Sequence, residues 1–341
     1  MTQLACPALL SDDSLGFLAA LGTLELCTST LGFPARLGWQ GVGGAAILDV
    51  PVETVEKLAG MLYTRAIRWR DSDRIVPCDD PGPVRKPLST AERRAKKQAG
   101  RTVSLDPAKL EPEEAIAEYR RIRDLEVKRS EPDRDSARWL SGLVNQLSSP
   151  ANSPFRALTP IYSPSGQMSL YQLYRDHLTK VCENPALLTE ALVAWQRSDG
   201  TGANLDARAL RDAVISSSGE AENTAVAGAT WLALMAVPLF RQSAGMRSAI
   251  VGWARATGVG LALRWPVWTG LLDRAAVEVI LAHPVVGCIK PAEDPNEVSA
   301  VVDAHSRELR ALGIEAICLS RRRPLPNSAG ALLLPRVWAV S

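Results

Sequence analysis

The feature that most constrains this chain is residues 225–240, a run of sixteen residues without a single charge. A helix that is apolar all round has no face to offer water, so other elements must enclose it. The run falls short of the roughly 20 residues needed to cross a bilayer. Pro238 also removes a backbone donor near its end. The sequence therefore predicts a fully buried helix ending near Pro238. At 341 residues the chain is long enough for one large domain or two ordinary ones. Its 46% hydrophobic and 22% charged residues exclude disorder over the whole length.

Periodicity on either side of that run predicts a mixture of helices and strands. Ser11, Asp12 and Asp13 supply cap and first-turn residues. Phe17, Leu18, Leu21 and Leu24 then share one helical face, while Gly16, Ala19, Ala20 and Gly22 allow a second backbone to approach. Gly32 and Pro34 stop that helix. Strands are expected at 35–39 and 45–50, and Pro51 opens a helix to about residue 70. The glycines at 41, 43 and 44 lack the Gly-Lys-Ser/Thr of a phosphate loop and join two strands, so they read as a hairpin turn. Further helices are expected at 166–181, 185–195, from Asp273 to residue 283, and at 296–312 before Gly313. Strands are expected at 258–265, where Val259, Leu261, Leu263 and Trp265 face one way, and at 314–319 and 332–340. The fold class is α+β, as two lobes of mixed helices and short antiparallel strands with a charged, largely helical insertion. The boundaries are 1–76 for the N-terminal lobe, 77–138 for the insertion and 139–341 for the C-terminal lobe.

Charge becomes informative only by region. The 39 basic and 37 acidic residues leave a net charge of +2, which argues against a histone-like coat. Yet Arg85, Lys86, Arg93, Arg94, Lys96, Lys97 and Arg101 crowd into residues 83–101, opposed only by Glu92. Such a run creates a local positive field, and neutralising several phosphates releases counter-ions. The other reading is a solvated loop whose cations pair with the mixed-charge helix expected at 111–129. Arg321, Arg322 and Arg323 are a second set of candidate phosphate contacts, or simply a polar strand end. Asn145, Gln146 and Asn152 carry amides that can read base edges, although a turn rich in Asn and Ser explains them equally. Tyr119 and Trp139 can stack on bases or anchor the insertion to the core.

Nothing in the sequence points to a catalytic centre. Six cysteines show no C-x-x-C spacing and read as reduced, mostly buried thiols, Cys27, Cys288 and Cys318 lying in apolar stretches. Three histidines lie far apart, without H-E-x-x-H. The pairs Asp71/Asp73, Asp79/Asp80 and Asp133/Asp135 fall in polar segments and read as solvated loops or caps. No G-x-S-x-G elbow occurs. No catalytic residue, metal or cofactor is expected. The remaining enzyme reading is a metal-dependent site assembled from Asp71, Asp73 and His177. The first basic residue is Arg36 and Glu25 interrupts the early apolar run, so no secretory signal is expected and the location is cytoplasmic.

Four segments, taken in order, resemble one family. They are Leu15-Gly-Phe-Leu-Ala-Ala-Leu-Gly22, Gly228-Ala-Thr-Trp-Leu-Ala-Leu-Met-Ala-Val-Pro-Leu-Phe240, Leu263-Arg-Trp-Pro-Val-Trp268 before a helix from Asp273, and Leu309-Arg-Ala-Leu-Gly-Ile-Glu-Ala-Ile317 before an arginine-rich strand end. The set resembles the large-subunit protein of type I-G (formerly type I-U) CRISPR systems across nearly the whole chain. Each segment alone is a generic apolar motif, and the weight lies in their order. The chain departs from the family pattern at Asp13-Ser14, where an Asn-Pro pair is usual. It departs again at Thr230, Trp231 and Met235, where polar residues are usual. The resemblance implies a non-catalytic subunit of the crRNA-guided surveillance complex, Cascade. Its partners would be guide RNA, target double-stranded DNA, the other Cascade subunits and a helicase-nuclease effector, with no membrane. Its tasks would be recognition of the flanking motif (PAM), support of R-loop formation and effector recruitment. The alternative is a scaffold subunit of the same complex that does not touch DNA.

Overall fold

Two four-stranded antiparallel sheets and a set of buried helices make up the computed structural model, giving a mixed α+β fold. It describes residues 1–70, 138–139, 142, 159–161, 170–200, 202–209, 214–215, 221–222, 224–243, 249–256, 258–323 and 330–341. The strands of the two sheets, in chain order, are β1 (Thr2–Leu10), β2 (Arg36–Trp39), β3 (Ala45–Val50), β4 (Trp253–Ala256), β5 (Gly260–Trp268), β6 (Leu272–Asp273), β7 (Ile314–Arg321) and β8 (Arg336–Ala339). The helices are α1 (Ser14–Glu25), α2 (Val55–Trp69), α3 (Leu170–Glu183), α4 (Ala186–Val193), α5 (Ala227–Leu234), α6 (Arg274–Ala282), α7 (Pro284–Cys288), α8 (Pro295–Ala304) and α9 (Ser306–Ala311). One sheet has the order β1-β3-β2-β6 and the other β4-β5-β7-β8.

The hairpin β2–β3 forms as expected. Gly41 and Gly43 take positive φ of 86° and 75°, and the Gln40 N–H donates to the Ala45 carbonyl at 2.9 Å. Strand β1 was not legible. Pro7 interrupts it where the register with β3 jumps between Cys6 and Leu10, and proline in a sheet is confined to such bulges and edges.

Helix α1 starts where Asp13 accepts a hydrogen bond from the Gly16 N–H at 2.8 Å, and all twelve of its residues are buried. Gly22 lies against α5: a Cβ built there would fall 1.7 Å from the Leu232 carbonyl oxygen. Helices α3 and α4 also pack on α5. The apolar run is buried from Ala225 through Phe240, but its helix is shorter than expected. The chain enters as a short strand at Thr224–Ala225 and leaves through a 3-10 turn at Val237–Leu239, because Pro238 cannot continue an α-helix.

The sheets meet at an aromatic centre. Phe17 stacks on Trp39 and Trp265 with ring centroids 5.9 and 5.2 Å away, and Trp268 meets it edge-on at 6.3 Å. The Trp265 Nε1–H donates to the Ser11 carbonyl at 2.8 Å and the Trp268 Nε1–H to the Leu37 carbonyl at 3.2 Å. Described residues before position 71 and after position 137 therefore share one hydrophobic core, from Leu4 to Leu332; the expected insertion at 77–138 and its helix at 111–129 lie almost wholly outside the described residues.

Three elements of the C-terminal half differ from expectation. Strand β5 is buried on both faces from Ala262 to Trp268, so Arg264 is enclosed. Its guanidinium donates to the Gly287 and Ile289 carbonyls at 3.0 and 2.5 Å, and burial pulls its pKa down to about 10. The helix expected over 296–312 breaks at His305 into α8 and α9, and Gly313 at φ 73° turns the chain into β7. Cys288 is exposed, whereas Cys6, Cys27, Cys182 and Cys318 are buried; all five are free thiols. Among the described residues no helix is long and apolar enough to cross a membrane.

Candidate phosphate-binding groove

Strand geometry divides the arginine triplet. Successive side chains of a strand point to opposite faces, so Arg321 and Arg323 share one side while Arg322 points to the other. Arg322 is 3% exposed. Its guanidinium donates to the carbonyls of Gly330 (2.9 Å), Asn204 (3.3 Å), Pro160 (2.5 Å) and Ile161 (3.4 Å), and lies 5.1 Å from the centre of the Trp253 ring. Burial pulls its pKa down to about 9. Arg322 holds segments of backbone together and is not turned toward a ligand. Of the three candidate phosphate contacts, Arg322 is thereby corrected to a structural residue, because its guanidinium is enclosed.

The face of β7 that carries Ile317, Leu319 and Arg321 continues onto β8, and it opens to solvent only at its Arg321 end. Leu319 pairs with Arg336 and Ile317 with Trp338, and directly opposed residues share a face. Trp338 and Arg336 on β8, then Arg321 at the end of β7 and Arg323 just beyond it, therefore succeed one another along the strand direction at two-residue steps, about 7 Å of rise each. They line a groove of about 600 Å³. Pro291, Pro295 and Val298 line it too, as do the exposed Leu333 and Leu334. Among the described residues no carboxylate lies within ion-pair distance of Arg321, Arg323 or Arg336.

Elsewhere, arginines answer buried acids. Asp206 accepts from Arg197 Nη1 at 2.7 Å, and Asp13 Oδ2 lies 3.4 Å from Arg208 Nε. Burial is the main influence on Asp13 and raises its pKa, with the Gly16 N–H and Arg208 acting against it. Glu25 is bonded by Arg138 at 2.8 Å and approached by Arg274 at 3.7 Å, and Glu278 bridges Arg138 and Arg241. Asp206 follows a left-handed turn, with φ of 55°, 56° and 58° at Gly202, Ala203 and Asn204. That strained backbone is held by the Asn204 carbonyl, which accepts from the Leu332 N–H at 3.0 Å and from Arg322. Ala207, just beyond, lines the groove.

The chain matches no protein-family model and no curated protein. The four segments singled out in the sequence form much of the packed centre of the molecule: α1, α5 with its 3-10 turn, the end of β5, and the passage from α9 into β7. Thr230, Trp231 and Met235 are fully buried there, and the Thr230 hydroxyl donates to the Val226 carbonyl at 2.9 Å. Those positions pack in this chain.

Several expected site residues lie outside the described residues: Arg85, Lys86, Arg93, Arg94, Lys96, Lys97, Arg101, Asn145, Gln146 and Asn152, together with Asp71, Asp73 and Tyr119. Trp139 is buried in the core and not available for stacking. His177 lines a separate hollow of about 430 Å³, its Nδ1–H donating to the Leu173 carbonyl at 2.8 Å. Among the described residues no three His, Cys, Asp or Glu side chains are grouped to hold a metal. Arg336 and Trp338 were missed as site residues. A strand was read at 332–340, but the sequence does not say that it pairs with β7, and only that pairing puts these two side chains beside Arg321.

Proposed function

We propose that this chain is a non-catalytic nucleic-acid-binding subunit of a cytoplasmic crRNA-guided surveillance complex, in the role of the Cascade large subunit. The observation that carries the reading is the groove with Arg321, Arg323 and Arg336, three cations that have no carboxylate within ion-pair distance among the described residues. Guanidinium groups fork onto phosphate oxygens. In guided systems base pairing reads the sequence, while protein supplies backbone contacts and a short-motif check. A chain of nearly even total charge can do this with one basic face. The ordered four-segment resemblance supplies the particular role, with guide RNA, target double-stranded DNA, the other Cascade subunits and a helicase-nuclease as partners. PAM recognition, R-loop support and effector recruitment come with that role.

One observation favours a scaffold role instead. Leu333 and Leu334 are 39% and 51% exposed in the same groove, and a protein partner with acidic and apolar side chains would fit there. Co-expression with the partner subunits and a guide RNA, followed by crosslinking to target DNA, separates the two. The proposal expects this chain to crosslink to DNA and target binding to fall when it is omitted. An assembled complex that binds target equally well without the chain contradicts it.

A further inference from the structure

We propose that the groove holds one polynucleotide strand lying along β7, with consecutive phosphates on Arg336, Arg321 and Arg323 and the adjoining base against Trp338. The inference rests on the nucleic-acid reading above and specifies the form of the ligand. Along the strand direction the three cations sit at successive two-residue steps, about 7 Å of rise each, with Arg336 on β8 one strand across from Arg321. That interval is close to the separation of neighbouring phosphates in an extended strand. The next position in the same row is an aromatic. Trp338 is half-buried, so one part of its ring is fixed by the core while the rest lines the groove. Base–aromatic stacking is tolerant of sequence, because every base has a π-face. Leu333 and Leu334 add exposed apolar surface in the groove, as unpaired bases require. In a duplex the bases are stacked within the helix, and Trp338 would have no base face to meet. A row that begins with an aromatic and continues with three cations therefore suits a single strand better than a duplex.

The test is binding of the full chain to fluorescently labelled oligothymidine, to oligouridine, and to a hairpin duplex of equal length, by anisotropy at low salt. The proposal expects either single strand to bind more tightly than the duplex, and comparison of the two shows whether the ribose 2′-hydroxyl contributes. The triple variant Arg321→Ala, Arg323→Ala, Arg336→Ala should lose at least about 30-fold in affinity. Trp338→Ala should lose about tenfold and Trp338→Phe should restore most of it. These side chains face the groove, and unchanged thermal melting confirms that each variant folds. Tighter binding of the duplex, or a triple variant that binds single strands as the parent does, overturns the groove assignment and leaves the nucleic-acid reading standing. Displacement of the strand by an oligoglutamate of equal charge at equal concentration overturns it in favour of a protein ligand. A chain that binds none of the three nucleic acids contradicts the nucleic-acid reading itself.

Discussion

The interior of the molecule and the groove at the end of β7 and on β8 use the same side chain for opposite purposes. Inside, Arg264 and Arg322 are spent on backbone carbonyls, and Arg138 and Arg197 answer the carboxylates of Glu25 and Asp206. In the groove, Arg321, Arg323 and Arg336 have no such partner among the described residues. The difference arises from strand parity. A shift of one residue moves an arginine from a site where it fastens the fold to a site where its charge is open to a ligand. A charge count by sequence cannot see this, because it weighs all arginines alike.

The largest expected effect lies in the core. Trp265→Ala removes a fully buried ring that stacks on Phe17 and donates to Ser11. It should cost about 4 kcal/mol in urea unfolding, without changing the charge of the groove. Arg322→Ala is the next largest change. It strands several enclosed carbonyls and should cost about 3 kcal/mol, whereas Arg321→Ala and Arg323→Ala should each shift stability by less than about 0.5 kcal/mol. Equal unfolding midpoints for the three variants would remove the parity argument. Glu25→Gln should cost about 2 kcal/mol, since it weakens the buried pair with Arg138. The mildest test is pH. Burial lowers the pKa of His177 from its ordinary 6.5, against the Leu173 carbonyl, which favours the charged ring; Lys180 lowers it further and Asp176 raises it. The unfolded chain therefore binds more protons than the folded one as pH falls below about 6.5, so stability is lost there and is constant with respect to this group above it. Thermal melting should drop more between pH 7 and 5.5 in the parent than in His177→Asn. Equal drops would show that the ring does not carry the effect.

Much of the framework was legible because local signals act locally. The Asp13 and Asp273 caps and the glycine hairpin are settled by residues close in sequence, and the structure places them as expected. The burial of residues 225–240 followed from composition alone. What was not legible depends on distant partners. Strand β1 is held by β3 despite Pro7, and Arg264 is enclosed because α7 ends against it. The break at His305 divides what periodicity reads as one helix. The site shows the same division. Arg321 and Arg323 were visible as cations, but the inward turn of Arg322 and the arrival of Arg336 and Trp338 depend on pairing with β8.

The salt dependence of single-strand binding counts the phosphates that the groove neutralises. Each phosphate neutralised on a single strand contributes about 0.7 to the slope of log affinity against log salt. If Arg321, Arg323 and Arg336 each hold one phosphate, replacing all three with alanine should make the slope shallower by about 2. Parallel lines for parent and variant would contradict phosphate binding by these arginines, because the groove would then neutralise no phosphate at all.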